Sequence, residues 1–391
     1  MRKYLSRRDF IKLAGLGVGA MAFRPLSRPL TAFEIDYRWD IFSQPKRLPQ
    51  FPGSEIIGRV CEPDVDIRSS PTNNTIYNNS VGRLAADTLV EWNREVVGEV
   101  LYGLQNQKYV ETPNGYVYGS IVQPTRNLPN TPVTELPNGQ GFWAEVTVPY
   151  IDIAHEGVVA SPWLQDHISY NFPPRLYYGQ VVWIDQVRTN NGFPEYRWNE
   201  GASGHGYGYG DYGEFFWGDG AGFKILTDAD VAPISPDVDP NEKTISIDLD
   251  YQTLTCFEGG REVYYCQISS GKRYDPVTGE VVDTFATPAG TLMTYWKIIS
   301  KNMTAGNEGS GYSTPAVPWC TFIASGGVAI HGAFWHNAFG ERKSHGCVNV
   351  KNEDAKWIFR WTSPYVSLVT SEERRELPDH GTIINSYETV F

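Results

Sequence analysis

The chain has 391 residues, 41% of them hydrophobic, and a formal net charge of −12. That length exceeds one ordinary core and predicts two or three domains. The acidity, with no dense Lys/Arg run, argues against nucleic acid as a partner and reads as a solubility feature.

With 38 Gly and 26 Pro beside 12 Trp, 23 Tyr and 18 Phe, the composition predicts short strands and many turns rather than long helices, hence a mainly β protein. Residues 1–8 are basic, and an apolar Gly/Ala-rich stretch follows from Leu13 to Phe23, too short for a comfortable transmembrane helix. Ser6-Arg7-Arg8-Asp9-Phe10-Ile11-Lys12 resembles the twin-arginine export motif. Residues 1–30 are therefore expected to be an export signal. It would place the protein outside the cytoplasm, in the periplasm or cell wall. Membrane attachment would come only through an uncleaved signal, since no clear small-x-small site precedes Arg24. Residues 31–55 read as a tether.

Residues 56–125 read as one small β domain. Val65-Asp66-Ile67-Arg68 alternates as a strand does, and Asn114-Gly115 signals a turn before Tyr116-Val117-Tyr118. Val65, Arg68, Pro71, Gly115, Tyr116, Val117 and Val122 resemble the opening and closing motifs of bacterial SH3-type modules. Residues 126–140, holding Pro129, Pro132 and Pro137, read as a linker. Residues 141–236 repeat the plan loosely, with Tyr150 to Ile153 echoing the opening and Gly222 to Ile225 the close, and are expected to form a second SH3-type module. Its Gly-rich run Gly204 to Gly210 lacks a Lys-Ser/Thr ending and a following helix, so it reads as an aromatic loop and not a phosphate cradle. His155, His167 and His205 read as surface or packing residues. Residues 237–241 are a second linker.

From Lys243 the pattern changes. Ile245 to Leu249 alternates strictly, and Thr253 to Cys266 reads as a hairpin turning at Glu258-Gly259-Gly260. No two of the five cysteines (Cys61, Cys256, Cys266, Cys320, Cys347) have zinc-site spacing, and an odd count in an exported protein leaves a thiol free. A symmetric hairpin turn does not set Cys256 opposite Cys266, which disfavours a disulfide. Later, Asn352 is placed as the N-cap of a helix that carries Glu353 and Asp354 in its first turn. The helix buries Ala355, Ile358, Phe359 and Trp361 and stops before Pro364.

The chemistry concentrates near the C-terminus. Val328-Ala329-Ile330 reads as a strand ending in His331-Gly332, and fourteen residues further on Cys347 stands within Ser344-His345-Gly346-Cys347-Val348-Asn349. Gly346 permits a sharp turn that presents the cysteine. A thiol of pKa ~8.5 needs an adjacent base to act as a nucleophile at neutral pH, and His331, His336 and His345 are the candidates. His331, on a separate strand, can approach from across the site.

His331-Gly332 followed by Ser344 to Asn349 resembles the signature of the L,D-transpeptidase (YkuD-type) family. The resemblance covers residues 242–370, with the opening strand pair, Thr287-Pro288-Ala289-Gly290 and a strand at Tyr365 to Val369; residues 371–391 are left as an extension. Many members carry Arg where Asn349 stands. The resemblance implies a β-sandwich-like catalytic domain with one short helix, preceded by one or two small SH3-type barrels. It implies Cys347 as nucleophile and His331 as proton acceptor and donor. The Gly332 carbonyl would orient that imidazole, and the Gly346 and Cys347 N–H groups would hold the oxyanion. Ser344, His345, Asn349, Tyr312, Trp319 and Trp335 are candidate substrate contacts. The implied partners are peptidoglycan stem peptides, with carbapenem β-lactams as covalent inhibitors, and no metal or cofactor is implied. An L,D-carboxypeptidase, with water as acceptor, and a catalytically silent wall-binding protein are the alternatives.

Overall fold

The computed structural model describes residues 46–72, 79–100, 106–156, 161–170, 172–200, 214–272, 285–305, 312–375 and 381–389. The expected export signal, most of the expected tether, His205 and the Gly204 to Gly210 run lie outside them. The fold is mainly β, as the composition predicts.

The first body, residues 56–125, pairs a three-stranded sheet (Leu89–Glu91, Ile57–Val60, Val122–Thr125) with a five-stranded one built on Val65–Arg68, Gly115–Tyr118 and Lys108–Thr112. Valines fill its interior: Val60, Val65, Val90, Val110, Val117 and Val122. The second body centres on Phe142–Val146, flanked by Val181–Ile184 and Phe223–Ile225, and adds a four-stranded sheet through Phe193–Asn199 and Phe215–Asp219. One helix, Pro162–Ser169, starts at Ser161, whose side chain accepts from the Leu164 N–H. His155 and His167 are packing residues here: His155 Nε2 lies 2.6 Å from Glu214 Oε2, and His167 Nδ1 lies 2.9 Å from the Trp163 carbonyl. The supposed linker 126–140 lies against this body, with Val133 N–H donating to Tyr196 Oη at 2.7 Å. So does the end of the supposed tether, where Leu48 and Phe51 pack on its core.

The third body stacks two five-stranded sheets. One runs Arg261–Gln267, Thr253–Glu258, Lys243–Asp248, Ile383–Tyr387, Gly290–Met293. The other runs Val348–Val350, Val328–Gly332, Tyr312–Ala324, Trp296–Ala305, Glu372–Arg374. Ile245, Leu254, Ile299, Ile330, Val350 and Ile358 join both sheets and the helix Asn352–Trp361 in one core. A boundary at 370 therefore cuts through the fold, because Ile383–Tyr387 lies beside Lys243–Asp248 in parallel, in the middle of its sheet. The strand expected at Tyr365 to Val369 is absent. Ser367 and Thr370 instead close a turn through each other's hydroxyls and backbone, which competes with strand pairing. All five thiols are free.

The helix buries Ala355, Ile358, Phe359 and Trp361, but Asn352 is its first residue and not its cap. The Asn352 amide donates instead to the Tyr178 carbonyl of the second body at 3.0 Å. The helix's far end is held by two buried lysines. Lys297 Nζ donates to the carbonyls of Phe359, Thr362 and Pro364, and Lys243 Nζ to those of Ile234 and Trp361. Each supplies the donors that a helix C-terminus lacks.

The third body contacts what precedes it at many points. Trp143, Val181, Leu226 and Val231 of the second body are part of the catalytic core. Ser300 Oγ donates to the Val181 carbonyl at 2.6 Å and Gln180 Nε2 to the Pro315 carbonyl at 2.9 Å. The first body reaches the segment between His331 and Cys347: Arg59 donates to the Phe334 carbonyl, Tyr118 Oη to Glu341 at 3.0 Å, and Asn337 N–H to the Ser120 carbonyl at 2.8 Å.

Candidate active site

Val328–Gly332 and Val348–Val350 are parallel neighbours, with His331 opposite Asn349 and Ile330 opposite Val348. Side chains alternate along a strand, so His331, Asn349 and, two residues earlier, Cys347 fall on one face. All three line one pocket, closed by Trp335, Ser344 and His345 and by Met303, Thr314 and Val317 of the long hairpin. Cys347 is half-buried, and its Sγ lies 3.6 Å from the Gly327 carbonyl oxygen.

His331 is buried, and its Nδ1 lies 3.0 Å from the Gly332 carbonyl, which fixes the proton on that nitrogen and leaves Nε2 as the basic one. Gly332 is the only residue type that fits there: a Cβ would stand 2.4 Å from Asn352 Oδ1 and 2.9 Å from Pro318 Cγ. Gly346 has φ +117° and supplies the sharp turn before Cys347. Its carbonyl accepts from Thr287 Oγ1 at 2.9 Å, which ties the Thr287-Pro288 segment to the nucleophile loop.

The Gly346 N–H donates to Ser344 Oγ at 3.1 Å, and that hydroxyl donates to the Cys347 carbonyl. The Gly346 N–H, expected to hold an oxyanion, is thus engaged in shaping the loop, with Ser344 as its partner. The placing of Trp319 as a substrate contact is corrected. Trp319 is buried in the core against Phe359 and not on the pocket wall, whereas Trp335 stands 5.8 Å from the His331 ring, centroid to centroid. His345 lies edge-on to Phe285. Tyr312 begins the Tyr312–Ala324 strand, and its side chain lies outside the described set. The sequence reading missed Thr314 and Val317, which only the fold of the hairpin brings to the cysteine.

The hydrogen bonds assign His336. Its Nδ1 accepts from the Ala338 N–H at 3.1 Å, so the neutral ring carries its proton on Nε2. Asn349 lies 3.0 Å from that Nε2 while its other amide atom, buried, has no partner. Two donors do not face each other, so the Asn349 carbonyl accepts from His336 and its amino group takes the buried position that has no partner. With both nitrogens engaged, His336 orients Asn349 and is not placed to take a proton from the thiol.

Burial pushes the Cys347 thiol up to about 11, against a smaller opposite pull from the Ala329 backbone. Burial pushes His331 down to about 4, with the Gly332 carbonyl opposing. Both groups are neutral near pH 7, so the resting pair is thiol and imidazole, not an ion pair. Alkylation of Cys347 by iodoacetamide is therefore expected to keep accelerating as pH rises past the ordinary thiol range. A rate that levels off near pH 7 would show a preformed thiolate–imidazolium pair and contradict this assignment.

A thiol and an imidazole stand over one pocket on adjoining strands, the pairing that nucleophilic thiol chemistry uses. Residues 242–375 match the family described as the L,D-transpeptidase catalytic domain (YkuD), and this domain belongs to that family. L,D-transpeptidase 2 of Mycobacterium tuberculosis is 36% identical over 100 residues, which are 21% of this chain and 24% of the relative. The chain thus spans about a quarter of the length of that curated relative. Among solved structures, the catalytic domain of the Enterococcus faecium L,D-transpeptidase covers 38% of this chain and 98% of its own, at 24% identity and a TM-score of 0.28. L,D-transpeptidase 3 of Mycobacterium tuberculosis, in complex with a faropenem-derived adduct, covers 49% and 81%, at 18% identity and a TM-score of 0.29.

Proposed function

We propose that the protein is an exported peptidoglycan L,D-transpeptidase. The observation that supports this most is the shared face of Cys347 and His331 over one pocket, with the Gly332 carbonyl on the imidazole's far nitrogen. His331 Nε2 takes the Sγ proton as sulfur attacks the carbonyl of the third, L-centred residue of a donor tetrapeptide. The C–N bond to the terminal D-alanine breaks, and the imidazolium returns the proton to the leaving amine. An acceptor amine then attacks the thioester, regenerating the thiol. With the Gly346 N–H engaged, the oxyanion role falls to the Cys347 N–H; one such donor contributes about 3 kcal/mol. Carbapenems present a strained acyl carbon to the same thiol. The twin-arginine signal delivers the chain to the wall side of the membrane, and the first two bodies act as SH3-type modules.

The test is incubation with a defined tetrapeptide, with and without an acceptor stem, read by mass spectrometry. Loss of D-alanine together with a cross-linked product supports the transpeptidase. Loss of D-alanine to water alone, acceptor present, makes it a carboxypeptidase. His331→Ala is expected to lower the rate of thioester formation by ~10²–10⁴-fold, and His336→Ala by less. Equal losses would assign the base wrongly.

A further inference from the structure

We infer that the cleft where the three bodies meet is a second substrate subsite that receives a carboxylate of a stem peptide on Arg175; this rests on the peptidoglycan reading above. The cleft is lined by Arg59 of the first body, Trp163, Arg175 and Tyr177 of the second, and Thr314 and Trp335 of the third. Thr314 and Trp335 also line the catalytic pocket, so a peptide held at Cys347 passes these two side chains to reach the cleft.

Among the described residues, the cleft wall carries two guanidiniums and the His167 imidazole and no carboxylate, in a chain of net charge −12. The two arginines differ. Arg59 is wholly buried, and its three nitrogens are engaged by Gln123, Asp87 and the Phe334 carbonyl. Arg175 gives Nε to Asp152 at 2.7 Å and Nη1 to Asp87 at 2.8 Å, while its Nη2 makes no bond. Its side chain stays 15% exposed. The two acids sit behind the guanidinium, and the Tyr150 ring lies 4.0 Å from its centre, so the plane is fixed before any ligand arrives. A rigid, accessible N–H edge on an always-charged group, walled by Trp163 and Phe334, suits a carboxylate joined to an apolar stem. Donor and acceptor stems both carry such a group.

The experiment uses the full-length protein, wild type and Arg175→Gln, on a soluble tetrapeptide donor with and without an acceptor stem. Each peptide is made with free carboxylates and with those carboxylates converted singly to amides. Arg175→Gln is expected to raise KM about tenfold or more for the acid form, the scale of one charge-assisted hydrogen bond. One amidated peptide should show nearly the same KM with either protein. If this appears in hydrolysis of the donor alone, the donor stem occupies the cleft; if only when the acceptor is added, the acceptor does. Labelling of Cys347 by iodoacetamide at an unchanged rate reports an intact catalytic pocket. Should the glutamine variant unfold for want of a charge against Asp87 and Asp152, Arg175→Lys keeps the charge without Nη2 and is expected to show the same acid-selective rise. Equal losses on acid and amide forms, or no loss, would overturn the subsite while leaving the transpeptidase intact. A wild-type protein inert on every stem peptide would overturn both.

Discussion

Cys347→Ala is expected to abolish acyl transfer outright, and a carbapenem is expected to add to the wild type once, on Cys347. The argument is one of access and of proton supply. Cys61, Cys256, Cys266 and Cys320 are all buried, and burial pushes each of their thiols up; Cys61 shares a cleft with His167 but lies outside the pocket of His331. Cys347 is also pushed up, but it is half-buried, lies in the pocket and shares it with His331. None of the other four can hold the thioester in that pocket, so no residual turnover should survive the substitution. Peptide mapping of the drug adduct checks this directly. An adduct on Cys320 or Cys61 in place of Cys347 would remove the nucleophile assignment.

The legible parts of this chain are those where local pattern and tertiary need agree. The helix face of Ala355, Ile358, Phe359 and Trp361 follows from the 3.6-residue period alone, and the strand at Val328 to Ile330 from its apolar run. What could not be read was decided by contact between distant segments. Trp319 and Trp335 are equivalent as letters, yet one packs on Phe359 and the other walls the catalytic pocket. Lys243 and Lys297 occupy strands in which a charged residue normally faces water. Both are buried because helix carbonyls more than sixty residues further on need donors. The misplaced strand at Tyr365 to Val369 has the right propensity, but local Ser367–Thr370 bonding prevails there, and strands at Glu372–Arg374 and Ile383–Tyr387 fill the two sheets instead.

The second and third bodies share one core, although a linker is expected between them at residues 237–241. Residues 240–391 expressed alone are expected to be unstable and to lose acylation by a small drug as fully as they lose activity on the wall. Removing the second body takes Trp143, Val181, Leu226 and Val231 out of the shared core. Burial of one large apolar side chain contributes roughly 1.5–3 kcal/mol, so the four together contribute about 6–12 kcal/mol, which is comparable to the whole stability of about 5–15 kcal/mol of a typical domain. The Val181 and Pro315 carbonyl contacts and the Asn352 anchor on Tyr178 go with them. Removing the first body frees the segment between base and nucleophile, because Arg59, Tyr118 and Ser120 hold it at Phe334, Glu341 and Asn337. Trp335 and His336 lie in that segment, so the pocket wall and the Asn349 orientation should loosen even where the sheet survives. Two measurements separate the readings: a thermal melt of the fragment, and its rate of carbapenem acylation beside that of the full chain. A fragment that melts cooperatively and acylates at the full-chain rate would show the interface to be dispensable to the active site. Loss of the melt, or a melt with acylation slowed by an order of magnitude or more, places them in the architecture of the active site.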